Sequence, residues 1–131
     1  MKANELKYTN LMVGDIVQNK ERGIFSLTTE DMIDILLGKL KVYDVEPSMD
    51  FVEDNGFVCL KDVDDQEWDI VEFSMVYNKY KCIVKYSYGN YSLKVYFDNV
   101  VILNLPIPCL REFRHELKIC GLNELADNLK V

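Results

Sequence analysis

One stretch constrains this chain more than any other: residues 80–120, which open on two runs of alternating side chains. Tyr80, Cys82, Val84, Tyr86 and Tyr88 recur with period two, and Tyr91, Leu93, Val95 and Phe97 do the same beyond Gly89-Asn90. A period of two is the strand repeat, and a Gly-Asn pair between two such runs predicts a hairpin with a two-residue loop, because Gly supplies positive φ without steric cost. With Gly89 and Asn90 as the loop, Tyr86 faces Leu93, Val84 faces Val95 and Cys82 faces Phe97. The other face then sets Ile83 against Tyr96, Lys81 against Asp98, and Lys85 unfavourably against Lys94. Asp98-Asn99 predicts a second turn, which pairs Phe97 with Val100 and Val95 with Ile102. The run VVILNL is apolar on both faces and reads as an inner strand covered on both sides. Pro106 and Pro108 close the sheet, since neither has an N–H to donate.

A helix over residues 110–120 follows. Leu110, Phe113, Leu117 and Cys120 form one apolar stripe, and Gly121 suits the position just past the helix end. Arg111, Glu112, Arg114, His115, Glu116 and Lys118 fill the solvent side of this reading.

The N-terminal part is built from shorter pieces. LMVGDIVQ (residues 11–18) reads as a strand, NKERG as a charged turn, and residues 24–28 as a second strand, an opening shared with small SH3-like barrels. Residues 29–38 read as a helix capped by Thr28 or Thr29, with Met32, Ile33, Leu36 and Leu37 as its apolar face. LKVYDV (residues 40–45) alternates as a strand. Residues 47–55 predict a short helix with Ser48 as cap or Pro47 in the first turn, burying Met49, Phe51 and Val52. Short strands at residues 57–60 and 68–77 lead into the hairpin, and Asn123 opens a last short helix carrying Leu125, Ala126 and Leu129. The fold class expected is α+β: a small SH3-like N-terminal β unit over residues 1–46, and an antiparallel β-meander packed by a C-terminal amphipathic helix over residues 47–131, the two forming separate units or one continuous domain.

At 131 residues, 49% hydrophobic and 28% charged, the chain has enough apolar surface for a real core and is not of disordered composition. No apolar run approaches the ~20 residues of a membrane span, and the N-terminus has no apolar signal-like region. Cys59, Cys82, Cys109 and Cys120 sit in apolar settings and, without a secretory signal, read as reduced core thiols of a cytoplasmic protein; their spacing matches no zinc pattern.

The net charge is −7 and unevenly placed. Residues 44–72 hold eleven acidic side chains against Lys61 alone, a charge of −10 that leaves +3 elsewhere. Asp62, Asp64, Asp65, Glu67 and Asp69 are the densest part, and they are a candidate interaction segment as well as an ordinary solvated loop. They do not form an EF-hand: the sixth position from Asp62 is Glu67 rather than Gly, and the twelfth is Phe73 rather than Glu. Lys81, Lys85 and Lys94 around Tyr96 are candidate nucleic-acid contacts, because basic side chains beside an aromatic ring suit a single strand. His115, with Glu112 three residues earlier, sits on the polar face of its helix, and Cys109 lies six residues away on a different face. No phosphate-binding glycine loop and no nucleophile elbow is present. No catalytic, cofactor-binding or metal residue is assigned.

The order of segments resembles a group of short uncharacterised Bacteroidetes proteins often encoded in prophage or conjugative elements. Leu11-Met12-Val13-Gly14-Asp15-Ile16-Val17 mirrors their opening L-M-I-G-D-x-V, Glu46-Pro47 and Asn55-Gly56-Phe57 their middle stretch, and Leu110-Arg111-Glu112-Phe113, Gly121 and Glu124-Leu125 their closing helix. The I-P-L-T element and the Q-N pair of the group are missing. The resemblance implies a bacterial, cytoplasmic, mobile-element setting and brings no activity. The function expected is that of a non-enzymatic accessory protein that binds another protein. Two alternatives stand beside it: a nucleic-acid-binding module using the Lys/Tyr face of residues 79–98, and an acidic mimic of DNA using residues 44–72. No cofactor is expected, nucleic acid ranks below a protein partner, a membrane is not expected, and no oligomeric state is set.

Overall fold

The computed structural model of the protein describes residues 5–60 and 70–131. It is an α+β structure with a five-stranded antiparallel sheet, a separate two-stranded hairpin and four helices. A 3-10 turn (Tyr8–Asn10) precedes strands β1 (Ile16–Asn19) and β2 (Gly23–Ser26). Helices α1 (Thr29–Leu36) and α2 (Met49–Asp54) follow. The large sheet is β3 (Val58–Cys59), β4 (Ile70–Tyr77), β5 (Tyr80–Ser87), β6 (Asn90–Phe97) and β7 (Val100–Pro106), paired in sequence order. Helices α3 (Leu110–Ile119) and α4 (Asn123–Asp127) end the chain.

The central hairpin forms, but its loop is Tyr88-Gly89, one residue earlier than the Gly-Asn pair suggests. Both loop residues have positive φ, 48° and 89°, the conformation that a two-residue hairpin turn requires. The register therefore slides by two: Val84 faces Leu93, Cys82 faces Val95 and Lys81 faces Tyr96. A shift of two leaves every side chain on its expected face. It also removes the Lys85–Lys94 opposition, since Lys85 now faces Ser92 and Lys94 faces Ile83. Tyr86 comes opposite Tyr91 and Tyr80 opposite Phe97, with ring centroids 5.1 Å and 4.9 Å apart.

Asp98 and Asn99 do make the second turn, with φ of 50° and 67°. A bulge between Val95 and Tyr96 then sets Leu103, rather than Ile102, opposite Val95. Contrary to the apolar run on both its faces, β7 is an edge strand: only Leu103 is buried, and Val100 is 63% exposed. Pro106 suits that place, because an edge strand has no further ladder in which its missing N–H would be needed.

One face of the sheet makes the main core. Val71, Phe73, Cys82, Val84, Leu93, Val95 and Leu103 pack there with Phe51 and Val52 of α2, Leu110, Phe113 and Leu117 of α3, and Ala126 of α4. Phe113 takes an edge-on contact from Phe51 at 6.1 Å between centroids. Helix α2 starts where Ser48 Oγ accepts the Phe51 N–H, at 3.1 Å. A second, smaller core gathers Val17, Phe25, Leu27 and Val42 with Met32 and Ile35 of α1. Ile16 belongs to the first core and Val17 to the second, so the strand alternation of β1 makes it a wall common to both.

Three further expectations change, two in the N-terminal part and one in α3. Residues 40–45 do not form a strand; only Tyr43 bridges, to Gln18 and to Glu5. Thr28 caps α1 with a reciprocal box to Asp31, and this turns Met32 and Ile35 inward while Ile33, Leu36 and Leu37 stay exposed. Arg114 and Glu116, expected in solvent, are buried, because α3 packs on the sheet with one side and against β1 with another.

Arg114 ties the two ends of the chain together. Its guanidinium donates to Asp15 Oδ1 at 3.1 Å, Asp127 Oδ1 at 2.9 Å and the Val13 carbonyl at 3.4 Å. Asp15 Oδ2 also accepts the Met12 N–H at 2.9 Å. Burial pushes the Asp15 carboxyl up from its ordinary range, against the Met12 hydrogen bond and the charge of Arg114. Gly14 has φ of 93°, and a Cβ built on it would lie 2.3 Å from Arg114 Nη2. The V-G-D stretch is thus the socket for an α3 arginine.

Candidate interaction face of the sheet

The second face of the five-stranded sheet is built by the strand alternation itself. Every side chain of β4, β5 and β6 that does not enter the core points to it. Three cross-strand rows result. Glu72, Lys85, Ser92 and Pro106 make the first, and Val58, Ser74, Ile83, Lys94 and Asn104 the second. Val76, Lys81, Tyr96 and Val101 make the third. None of these side chains belongs to either core, whereas α2, α3 and α4 all contribute to the core on the opposite face.

The structure therefore brings Lys81, Lys85, Lys94 and Tyr96 together on one open surface. Lys81 lies directly opposite Tyr96, and Lys94 Nζ sits 5.3 Å from the Tyr96 ring centroid, within cation–π range. Lys85 faces Glu72 on one side and Ser92 on the other. Among the described residues these three lysines and Glu72 are all the charged residues of the five strands, which together carry +2 on a chain of −7.

Sequence reasoning missed the aliphatic part of this surface. Val58 is 66% exposed and Val76 is 71% exposed, with Val101 beside Tyr96 at 46%. Ile83 stands between Lys81 and Lys85 on β5 and opposite Lys94 on β6. The alternation held the signal, because these residues occupy the positions out of phase with the core set. Branched aliphatics are also ordinary strand formers, so the pattern alone does not separate them from buried residues.

Asp62, Asp64, Asp65, Glu67 and Asp69, the acidic candidate segment, lie outside the described residues. The surfaces around α3 hold a different chemistry. A hollow of about 460 Å³ between the N-terminal segment and α3 has Arg111, Glu112 and His115 on its wall. Arg111 is committed there: it donates to both Asp44 oxygens, at 2.9 and 3.3 Å, and to Glu112 at 3.4 Å. Burial pushes the Cys109 thiol up to about 11 and the Cys82 thiol to about 12, so both are protonated and poor nucleophiles at neutral pH. Among the described residues no cluster of His, Cys, Asp and Glu converges as a metal site, and no helix is long and apolar enough to cross a membrane. Comparison of the chain with protein-family models, with curated proteins and with solved structures finds no match.

Proposed function

We propose that this protein is a non-enzymatic interaction module that binds another protein through the open face of its five-stranded sheet. The observation that carries this reading is the mixture on that face: exposed Val58, Val76 and Val101 and a central Ile83, set among three lysines. Exposed branched aliphatics interspersed with lysines offer a partner protein both apolar area to bury and charges to pair. A single-stranded nucleic acid asks instead for several stacking rings, and Tyr96 is the one aromatic side chain in the three rows. The protonated Cys109 and the engaged Arg111 support the non-enzymatic part. The acidic-mimic alternative draws its support from the charge of residues 44–72 alone.

The setting belongs to the same proposal. A cytoplasmic, mobile-element protein is what the resemblance of residues 11–17 and of the closing helix implies, and the Arg114–Asp15 bond supports treating those two stretches as one unit. The SH3-like reading of the N-terminal part is supported by the β1–β2 hairpin with its Tyr43 and Glu5 extensions.

The test is charge reversal on the face. Capture from nuclease-treated lysate is compared for the wild type and for K81E/K85E/K94E. The proposal expects a bound protein that survives nuclease and is lost from the triple variant. Equal capture by both, or a signal that disappears with nuclease, overturns it.

A further inference from the structure

Ile83 is ringed by cations on three sides. Lys81 and Lys85 flank it two residues away along β5, about 7 Å in each direction, and Lys94 lies across from it on β6 at the interstrand spacing of about 4.8 Å. Ser74 closes the fourth side. Among the described residues of the five strands Glu72 is the single acidic one, and it faces Lys85, leaving Lys81 and Lys94 with no carboxylate opposite them in the described ladder. Beyond the ring, Val58 and Val76 continue the apolar surface toward β3 and β4, and Val101 toward β7.

We propose that this cationic ring around Ile83 receives an acidic amphipathic helix of a partner protein, with an aliphatic side chain over Ile83 and carboxylates over Lys81, Lys85 and Lys94. The inference rests on the reading of the open face as a protein contact and names the chemistry of the partner. Residues one helical turn apart on one face are separated by about 6 Å, close to the Lys81–Ile83–Lys85 spacing, so a Glu-x-x-x-Leu-x-x-x-Glu helix laid along β5 meets all three in register. A sheet face is also the surface on which helices pack in two-layer folds, as α3 does on the other side of this sheet. Charge selects the partner. A second copy laid face to face would oppose like charges, whereas an acidic helix neutralises the +2 of the surface.

The experiment uses the full chain labelled with nitrogen-15 and three probes. One is a helical peptide of about 18 residues, long enough to hold its helix, that carries the Glu/Leu pattern. The second is the same peptide with Gln for each Glu. The third is a deoxythymidine oligomer of about 15 nucleotides. The acidic peptide is expected to shift the amide resonances of Lys81, Ile83, Lys85 and Lys94, and the Gln peptide to bind about tenfold more weakly. K81E/K94E should abolish the shifts while its spectrum stays folded; Ile83→Thr, which keeps a β-branched residue, should weaken them. Equal affinity for the Glu and Gln peptides at the same residues overturns the acidic partner and leaves the face as a protein contact. Absence of shifts on the face with the acidic peptide overturns the inference, and tighter binding of the oligomer at these residues overturns both readings.

Discussion

Arg114 shows how far a residue's role can depart from its place in a pattern. On a helical wheel it falls among charged neighbours, yet it is 3% exposed and bonded to Asp15, which is itself fully buried. Removing one member of a buried pair leaves the other charge without compensation, so Arg114→Ala is expected to lower stability by about 3–5 kcal/mol in urea unfolding. Gly14→Ala should fall in the same direction, because its Cβ would displace the guanidinium. A loss below about 1 kcal/mol for Arg114→Ala would place the arginine in solvent after all. Glu116 is the other surprise of α3. It is buried, its Oε1 has no hydrogen-bond partner, and burial together with the nearby Glu112 pushes its carboxyl up from 4.5 to about 7. Below pH 4.5 both folded and unfolded chains hold this proton. As pH rises from there through 7 the unfolded chain releases it first, so stability drains away, by about 3 kcal/mol once the folded carboxyl also ionises. Glu116→Gln should flatten that decline between about pH 5 and pH 8. An unchanged pH profile of the unfolding midpoint would contradict the assignment.

The elements were legible where periodicity is strong. The meander, the Asp98-Asn99 turn and the apolar stripe of α3 follow from their spacing, while at α2 the structure takes Ser48 as cap over Pro47 in the first turn. What spacing could not give is which copy of a repeating pattern pairs with which. The Gly89-Asn90 and Tyr88-Gly89 loops bury the same side chains, and the choice falls to cross-strand terms: Lys85 leaves Lys94, and Tyr86 gains Tyr91. The cost falls on Tyr88, which holds a positive φ that L-residues with a Cβ avoid. Tyr88→Asn is therefore expected to stabilise the protein by about 1 kcal/mol, since Asn-Gly is the favoured pair for this turn. With the loop at Gly89-Asn90 the same change would remove a Tyr88–Tyr91 pair and destabilise; thermal unfolding of the variant decides between them. The β7 run misled for a related reason. An apolar strand on an edge and one in the middle of a sheet have the same composition, and only the order β3-β4-β5-β6-β7, with β7 last, separates them.

At the scale of the whole molecule, the described residues form two cores joined through β1 and α3, and among them neither core includes the second face of the sheet. The four residues singled out as a possible nucleic-acid contact do share that face, so their grouping on one surface was legible in the sequence. Its aliphatic members were not, because a strand's exposed valines look like its buried ones until the helices are placed. It is this apolar content, more than the lysines, that favours a protein partner. The most direct measurement puts a photo-crosslinking residue at Tyr96, on the face beside Lys81 and Lys94, and at Glu21, in the exposed β1–β2 turn, and irradiates both in nuclease-treated lysate. A discrete protein adduct is expected from position 96, lost with K81E/K85E/K94E, and none from position 21. No adduct at 96, or the same adduct from both positions, would contradict it.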